Sequence, residues 1–169
     1  MELSVKKLNK ALESFIDKEN YKYHPSHFGF DYEADPDFVY VLVDAVYIFR
    51  IPRNLMPDIL TVQRGSIRSD LHLEKAMVML IDMGLVDFHP AGFEQTEDGK
   101  ELVLFKDDAG HEKRIQARFF KEFYNGLLTK NGFPKNITFT GHIDNNKPLI
   151  MWEDDDAIAE FCPIVVIPA

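Results

Sequence analysis

Two apolar stripes of helical period, each followed by three strand-like runs, constrain this chain more than any other feature. In the first stripe Val5, Leu8, Leu12, Phe15 and Ile16 recur so as to share one face of a helix over 4–18, with Ser4 placed as its N-cap. Behind it come an aromatic-rich stretch at 21–32 and the runs Phe38-Val39-Tyr40-Val41-Leu42-Val43 and Val46-Tyr47-Ile48-Phe49-Arg50-Ile51. Their β-branched and aromatic content predicts strands. The second stripe, Phe119, Phe120, Phe123, Leu127 and Leu128, predicts a helix over 118–130 that ends near Asn131-Gly132-Phe133-Pro134. Strands are expected after it at 136–140, 148–152 and 161–167. Helix plus three strands therefore occurs twice, over 4–52 and 118–168, as a pseudo-repeat within one domain.

Between the two units, residues 54–83 carry helical spacing broken at Arg64-Gly65-Ser66, with Gly84 as the stop. Short strands are expected at 85–88, 93–96, 101–105 and 113–117, with turns at 89–92 and at Glu97-Asp98-Gly99-Lys100. The reading is α+β: one domain over 1–169 made of two helix-plus-three-strand halves, with 54–110 as a helical and hairpin insertion. A length of 169 residues with 46% apolar composition suits a single core. No apolar run approaches the ~20 residues of a membrane helix, and the N-terminus lacks a signal-peptide layout. No membrane partner is expected, and the location expected is cytoplasmic. The single cysteine, Cys162, excludes an internal disulfide and a multi-cysteine zinc site.

Nineteen basic residues against 28 acidic ones give a net charge of −9. The distribution matters more than the total. Residues 50–68 hold Arg50, Arg53, Arg64 and Arg68 against Asp58, a local +3, whereas residues 70–104 hold eight carboxylates against Lys75 and Lys100, a local −6. Lys6, Lys7 and Lys10 lie off the apolar stripe of the first helix, and Arg118 and Lys121 open the second.

The opening, from Val5-Lys6-Lys7-Leu8 through Val39-Tyr40-Val41-Leu42-Val43-Asp44 to Ile48-Phe49-Arg50-Ile51-Pro52, resembles the first half of a bacterial DNA sliding-clamp domain. The ending, from Phe119-Phe120-Lys121-Glu122-Phe123 through Lys147-Pro148-Leu149-Ile150 to Val165-Val166-Ile167-Pro168, is similar to the end of the last domain of such a clamp. The resemblance implies a DNA-clamp-like fold whose two helices face duplex DNA. It therefore implies Lys6, Lys7, Lys10, Arg118 and Lys121 as the nucleic-acid-binding residues.

Catalytic readings find little to converge on. Glu153-Asp154-Asp155-Asp156 offers four carboxylates but lacks the alternating ligands and glycine of a calcium loop, so a solvated turn is the better reading. His24 and His27 have no third ligand nearby. Cys162 has no basic neighbour to activate it. No glycine-rich phosphate loop and no nucleophile elbow is present. No enzyme, cofactor or metal is expected. The function expected is non-enzymatic, clamp-like binding to duplex DNA, weak and indifferent to sequence, or to a replication or regulatory protein. Two alternatives are a protein-interaction module without DNA binding and a winged-helix regulator, the latter built on 73–102 but disfavoured by that segment's negative charge.

Overall fold

A computed structural model describes residues 2–4, 6–7, 10, 28–31, 35–43, 47–55, 81–122 and 124–164. Among them β-structure dominates. The strands are β1 (Glu2–Leu3), β2 (Phe28–Asp31), β3 (Phe38–Val43), β4 (Tyr47–Pro52), β5 (Val86–Gln95), β6 (Glu101–Lys106), β7 (Glu112–Gln116), β8 (Tyr124–Asn125), β9 (Ile137–Gly141), β10 (Leu149–Glu153) and β11 (Asp156–Phe161). One α-helix, α1 (Arg118–Glu122), and a 3-10 turn at Arg53–Leu55 accompany them, with further helical residues at Lys6, Lys7, Lys10 and Ile81.

Nine strands form one sheet in the order β2-β3-β4-β11-β10-β9-β5-β6-β7, every neighbouring pair antiparallel. Its first six strands read as a palindrome: β4 meets β11 at the middle, and each triplet runs outward from there. β1 pairs separately with β8, matching Glu2 to Asn125 and Leu3 to Tyr124. After β11 the chain reaches the outer strand, where Ile164 N donates to Arg114 O at 2.8 Å. The run β11-β10-β9-β5-β6-β7 is thereby brought round on itself, and the side chains it encloses form one core.

Phe120 of α1 fills the middle of that core. Its ring lies 4.8 Å from Phe161, 5.1 Å from Phe133, 5.9 Å from Phe139 and 6.0 Å from Phe105, centroid to centroid. These separations suit tilted and edge-on aromatic pairs. Val39, Val41, Phe49 and Ile51 join the core from β3 and β4, since alternate residues of a strand share a face. The opposite face of those strands carries Tyr40 and Ile48, against which Phe38, Leu42, Ile81 and Ala157 pack.

The α+β expectation of two helix-plus-three-strand halves is overturned: the described residues form a nearly all-β structure around one antiparallel sheet. The second helix shows why. It stops at Glu122, after which Tyr124 and Asn125 pair with β1 and Gly126 takes φ +67°, which breaks helical geometry. Thr129 and Gly132 then close a tight turn by exchanging hydrogen bonds of 3.1 and 3.0 Å. Phe119, Phe120 and Leu127 are buried, so the apolar spacing at 119–128 reports burial in the core rather than a continuous helix. Of the first helix, Ser4 Oγ does accept Lys7 N at 3.3 Å as an N-cap would. Most of 4–18 lies outside the described residues.

Within the stretch read as an insertion, 56–80 lies outside the described residues. Residues 86–106 supply two strands of the main sheet, and Phe88, Val103 and Phe105 belong to its core. The turn expected at 89–92 is instead a bulge inside β5. There the register with β6 shifts between Pro90 and Gly92, and Gly92 adopts φ +139°. β11 runs over Asp156–Phe161 because the acidic turn is short; of the strand expected at 161–167, residues 162–164 follow β11 outside any strand and 165–167 lie outside the described residues. Asp154, at φ 53°, reverses the chain and β11 begins two residues later.

Candidate functional site

The five basic residues singled out by sequence divide between the N-terminal helical residues and α1, and all five are exposed. Lys7 joins the two groups. Its Nζ donates to Lys121 O at 3.1 Å and to Tyr124 O at 3.4 Å, so an ammonium sits over carbonyls at the end of α1. Lys6 and Lys10 stand four apart on the helical segment that carries Lys7, a spacing that makes them neighbours on one face. Arg118 and Lys121 are three apart on α1, and the Arg118 guanidinium lies 5.1 Å from the ring centre of the buried Phe119. Lys121 is matched by a carboxylate: its Nζ lies 2.9 Å from Glu101 Oε2 at the start of β6. Ala117 N donates to Glu101 O at 2.9 Å, which ties the start of α1 to the residue that reaches along it.

A second polar feature was not foreseen. The turn between β6 and β7 and the loop between β9 and β10 enclose an open cleft of 640 Å³ lined by His111, Glu112, Arg114, Asp144, Asn145 and Asn146 among others. Both walls are held internally. Asp107 Oδ1 accepts Ala109 N at 3.1 Å and His111 N at 2.7 Å, while Oδ2 lies 2.6 Å from His111 Nδ1. Burial acts to raise the Asp107 pKa, but the hydrogen bonds from His111 and Ala109 outweigh it and hold the carboxyl below its usual range. Arg114 is fixed by Glu94 through bonds of 2.7 and 3.2 Å and by Glu112 at 2.8 Å. Charge within the cleft is largely compensated, so it presents hydrogen-bonding groups more than a net field.

The opposite wall is pinned from below by Lys113. That side chain is 1% exposed, and its Nζ donates to Asp144 O at 2.5 Å and to Lys147 O at 2.9 Å. Burial brings the ammonium pKa down to about 8, against the opposing pull of Asp144 and Asp107. The sequence does carry a signal for this inward lysine. Lys113, Ile115 and Ala117 alternate, and the last two are core residues.

Glu160 is a second buried charged side chain among the described residues, and nothing in the sequence signals it. It is 7% exposed, its Oε2 has no hydrogen-bond partner among the described residues, and burial pushes its carboxyl up to about 7. Cys162, half-buried nearby, has its thiol pushed up by burial and by Glu160. That is the opposite of what activates a nucleophilic cysteine.

The acidic run Glu153-Asp154-Asp155-Asp156 forms the β10–β11 turn. Among the described residues no three His, Cys, Asp or Glu side chains come together as metal ligands. His24, His27 and Asp58 lie outside the described residues. So does most of the helical stretch expected within 54–83, in which Ile81 is the described α-helical residue. Among the described residues no helix is long and apolar enough to cross a membrane. No protein-family profile, curated protein or solved structure matches the chain, and the resemblance to a sliding clamp therefore rests on the quoted sequence patterns alone.

Proposed function

We propose that this protein acts by binding, without catalysis, and that the surface carrying Lys6, Lys7, Lys10, Arg118 and Lys121 contacts duplex DNA through phosphates. The reading keeps from the sliding-clamp resemblance only its partner class. One observation carries it: the Lys7 hydrogen bonds to Lys121 O and Tyr124 O set both basic segments against each other. Positive groups drawn from segments more than a hundred residues apart thus adjoin on a chain whose net charge is −9. Affinity of this kind comes from counterion release, so it is weak, indifferent to sequence and steeply dependent on salt. A cytoplasmic setting, with Cys162 kept as a free thiol, belongs to the same reading.

Retention of a duplex oligonucleotide by the full chain, followed from roughly 20 mM salt upward, tests it, because the Debye length at the low end is about 20 Å. The double variant Lys10→Glu, Arg118→Glu is expected to abolish retention, and Asp82→Lys to leave it in place. No retention by the wild-type chain at any salt concentration would sink the DNA reading.

A protein-interaction module is the second reading, and Phe93 favours it. This side chain is 56% exposed on β5 within a hairpin that also carries Glu94, Glu97 and Asp98. An apolar group so placed within an acidic rim suits a basic protein partner better than a phosphate backbone.

A further inference from the structure

Among the described residues of the basic surface, Lys121 already holds an anion. Glu101 Oε2 lies 2.9 Å from Lys121 Nζ, with both side chains about half exposed, 45% and 49% respectively. The pairing is not left to two floppy side chains. Leu102 pairs with Gln116 in the β6–β7 ladder, and Ala117 N donates to Glu101 O, so the Glu101 backbone is fixed beside the first residue of α1. From there its carboxylate reaches one turn along α1 to Lys121. A carboxylate oxygen gripping an ammonium occupies the position a phosphate oxygen would take, since both are oxyanions seeking the same charge-assisted bond.

We infer that Lys121 is an oxyanion-binding position that Glu101 fills from within the chain, and that a DNA phosphate must displace Glu101 to use it. The inference rests on the DNA reading above and adds its regulation: Glu101 is an intramolecular competitor. An exposed ion pair contributes only about 0.2–1 kcal/mol, so displacement is within reach of a phosphodiester. The cost is nonetheless real, because the released carboxylate stays beside the incoming phosphate. Lys7 sharpens the contrast. Its ammonium is spent on backbone carbonyls, which carry no formal charge and give a phosphate nothing to displace.

The test uses the full chain, one duplex oligonucleotide, and a salt titration of the wild type, Glu101→Gln, Lys121→Gln and the double variant. Glu101→Gln is expected to bind about two- to fivefold more tightly than wild type at low salt, the range an exposed ion pair allows. Its log K against log salt should steepen by about 0.9, one further phosphate contact. In the Lys121→Gln background the gain should shrink toward that of Glu97→Gln, which alters an exposed carboxylate of the same hairpin. If the wild type binds and Glu101→Gln matches Glu97→Gln in affinity and slope, the competitor role is overturned while the DNA reading stands. If the wild type does not bind, the DNA reading itself fails and the competitor role with it.

Discussion

Gly141 and Lys113 share one volume: a Cβ built on Gly141 would stand 2.8 Å from Lys113 Cε and 3.3 Å from Pro148 O. The absent side chain at 141 is what lets a lysine cross the sheet interior and reach the carbonyls of Asp144 and Lys147. Gly141→Ala is therefore expected to destabilise the fold by about 1–3 kcal/mol, the usual cost of overpacking a filled site. The penalty should shrink in a Lys113→Ala background. Urea midpoints of the four members of that cycle measure it, and strict additivity would show that the two residues do not compete for space.

Glu160 makes stability depend on pH with a definite sign. Its carboxyl titrates near 7 when folded against a reference of 4.5, so between those values the folded state binds more protons than the unfolded one. This group's contribution to stability accordingly falls as pH rises from about 4.5 to about 7 and stays low above that. Glu160→Gln removes the ionisation. It should match the wild type near pH 4 and exceed it by about 3 kcal/mol at pH 8, as a pKa shift of this size implies. Chemical denaturation at the two pH values decides, and a pH-independent difference would count against the buried carboxyl.

Phe120 and Phe93 are the same residue type in opposite settings. Phe120 is fully buried among four rings, whereas Phe93 is 56% exposed. Phe120→Ala should cost about 3–5 kcal/mol, and Phe93→Ala should stay within about 0.5 kcal/mol of wild type. Thermal or urea denaturation of both would settle the contrast. Equal losses would mean that α1 is not the plug of the core.

Trp152 Nε1 donates to Thr140 Oγ1 at 2.7 Å between adjacent strands. Thr140→Val keeps the shape and removes the acceptor, so a loss of about 1 kcal/mol is expected. Trp152 is the chain's one tryptophan, so its fluorescence reports the site directly. An unchanged emission spectrum and midpoint would contradict the hydrogen bond.

Strands were the legible part of this sequence. β3, β4, β9 and β10 appear within a residue or two of where β-branched and aromatic runs placed them. The helix expected over 118–130 was not legible, because Phe119, Phe120 and Leu127 are all core residues, yet the backbone between them turns at Gly126. Periodicity records burial, and burial can be satisfied by a short helix followed by a turn. Pro90 and Gly92 looked like a turn because the same two residues also serve a bulge. Of the candidate surface, the five basic residues could be read from charge and position, but their neighbours could not. Glu101 precedes Lys121 by 20 residues, and only the β6–β7 register sets it beside α1. The cleft is hidden for the same reason, since His111 and Asn145 meet only through the folding of the sheet.

The seam between β4 and β11 has a kinetic meaning. Phe49 faces Ala159 and Tyr47 faces Phe161, so the seam between the third and fourth strands of the nine-stranded sheet joins residues more than a hundred apart in the chain. Each triplet, by contrast, can zip locally from hairpin to hairpin. The entropy of closing so long a loop must be met before the seam returns any bonding, which places the chain among slow, late-committing folders on the millisecond-to-second scale. Until then both triplets expose an unpaired edge. Pulse-labelled hydrogen exchange during refolding should find the amides at the β4–β11 seam protected after those of the β3–β4 and β9–β10 hairpins. During that interval β4 and β11 can each pair with another molecule, so refolding yield should fall as protein concentration rises.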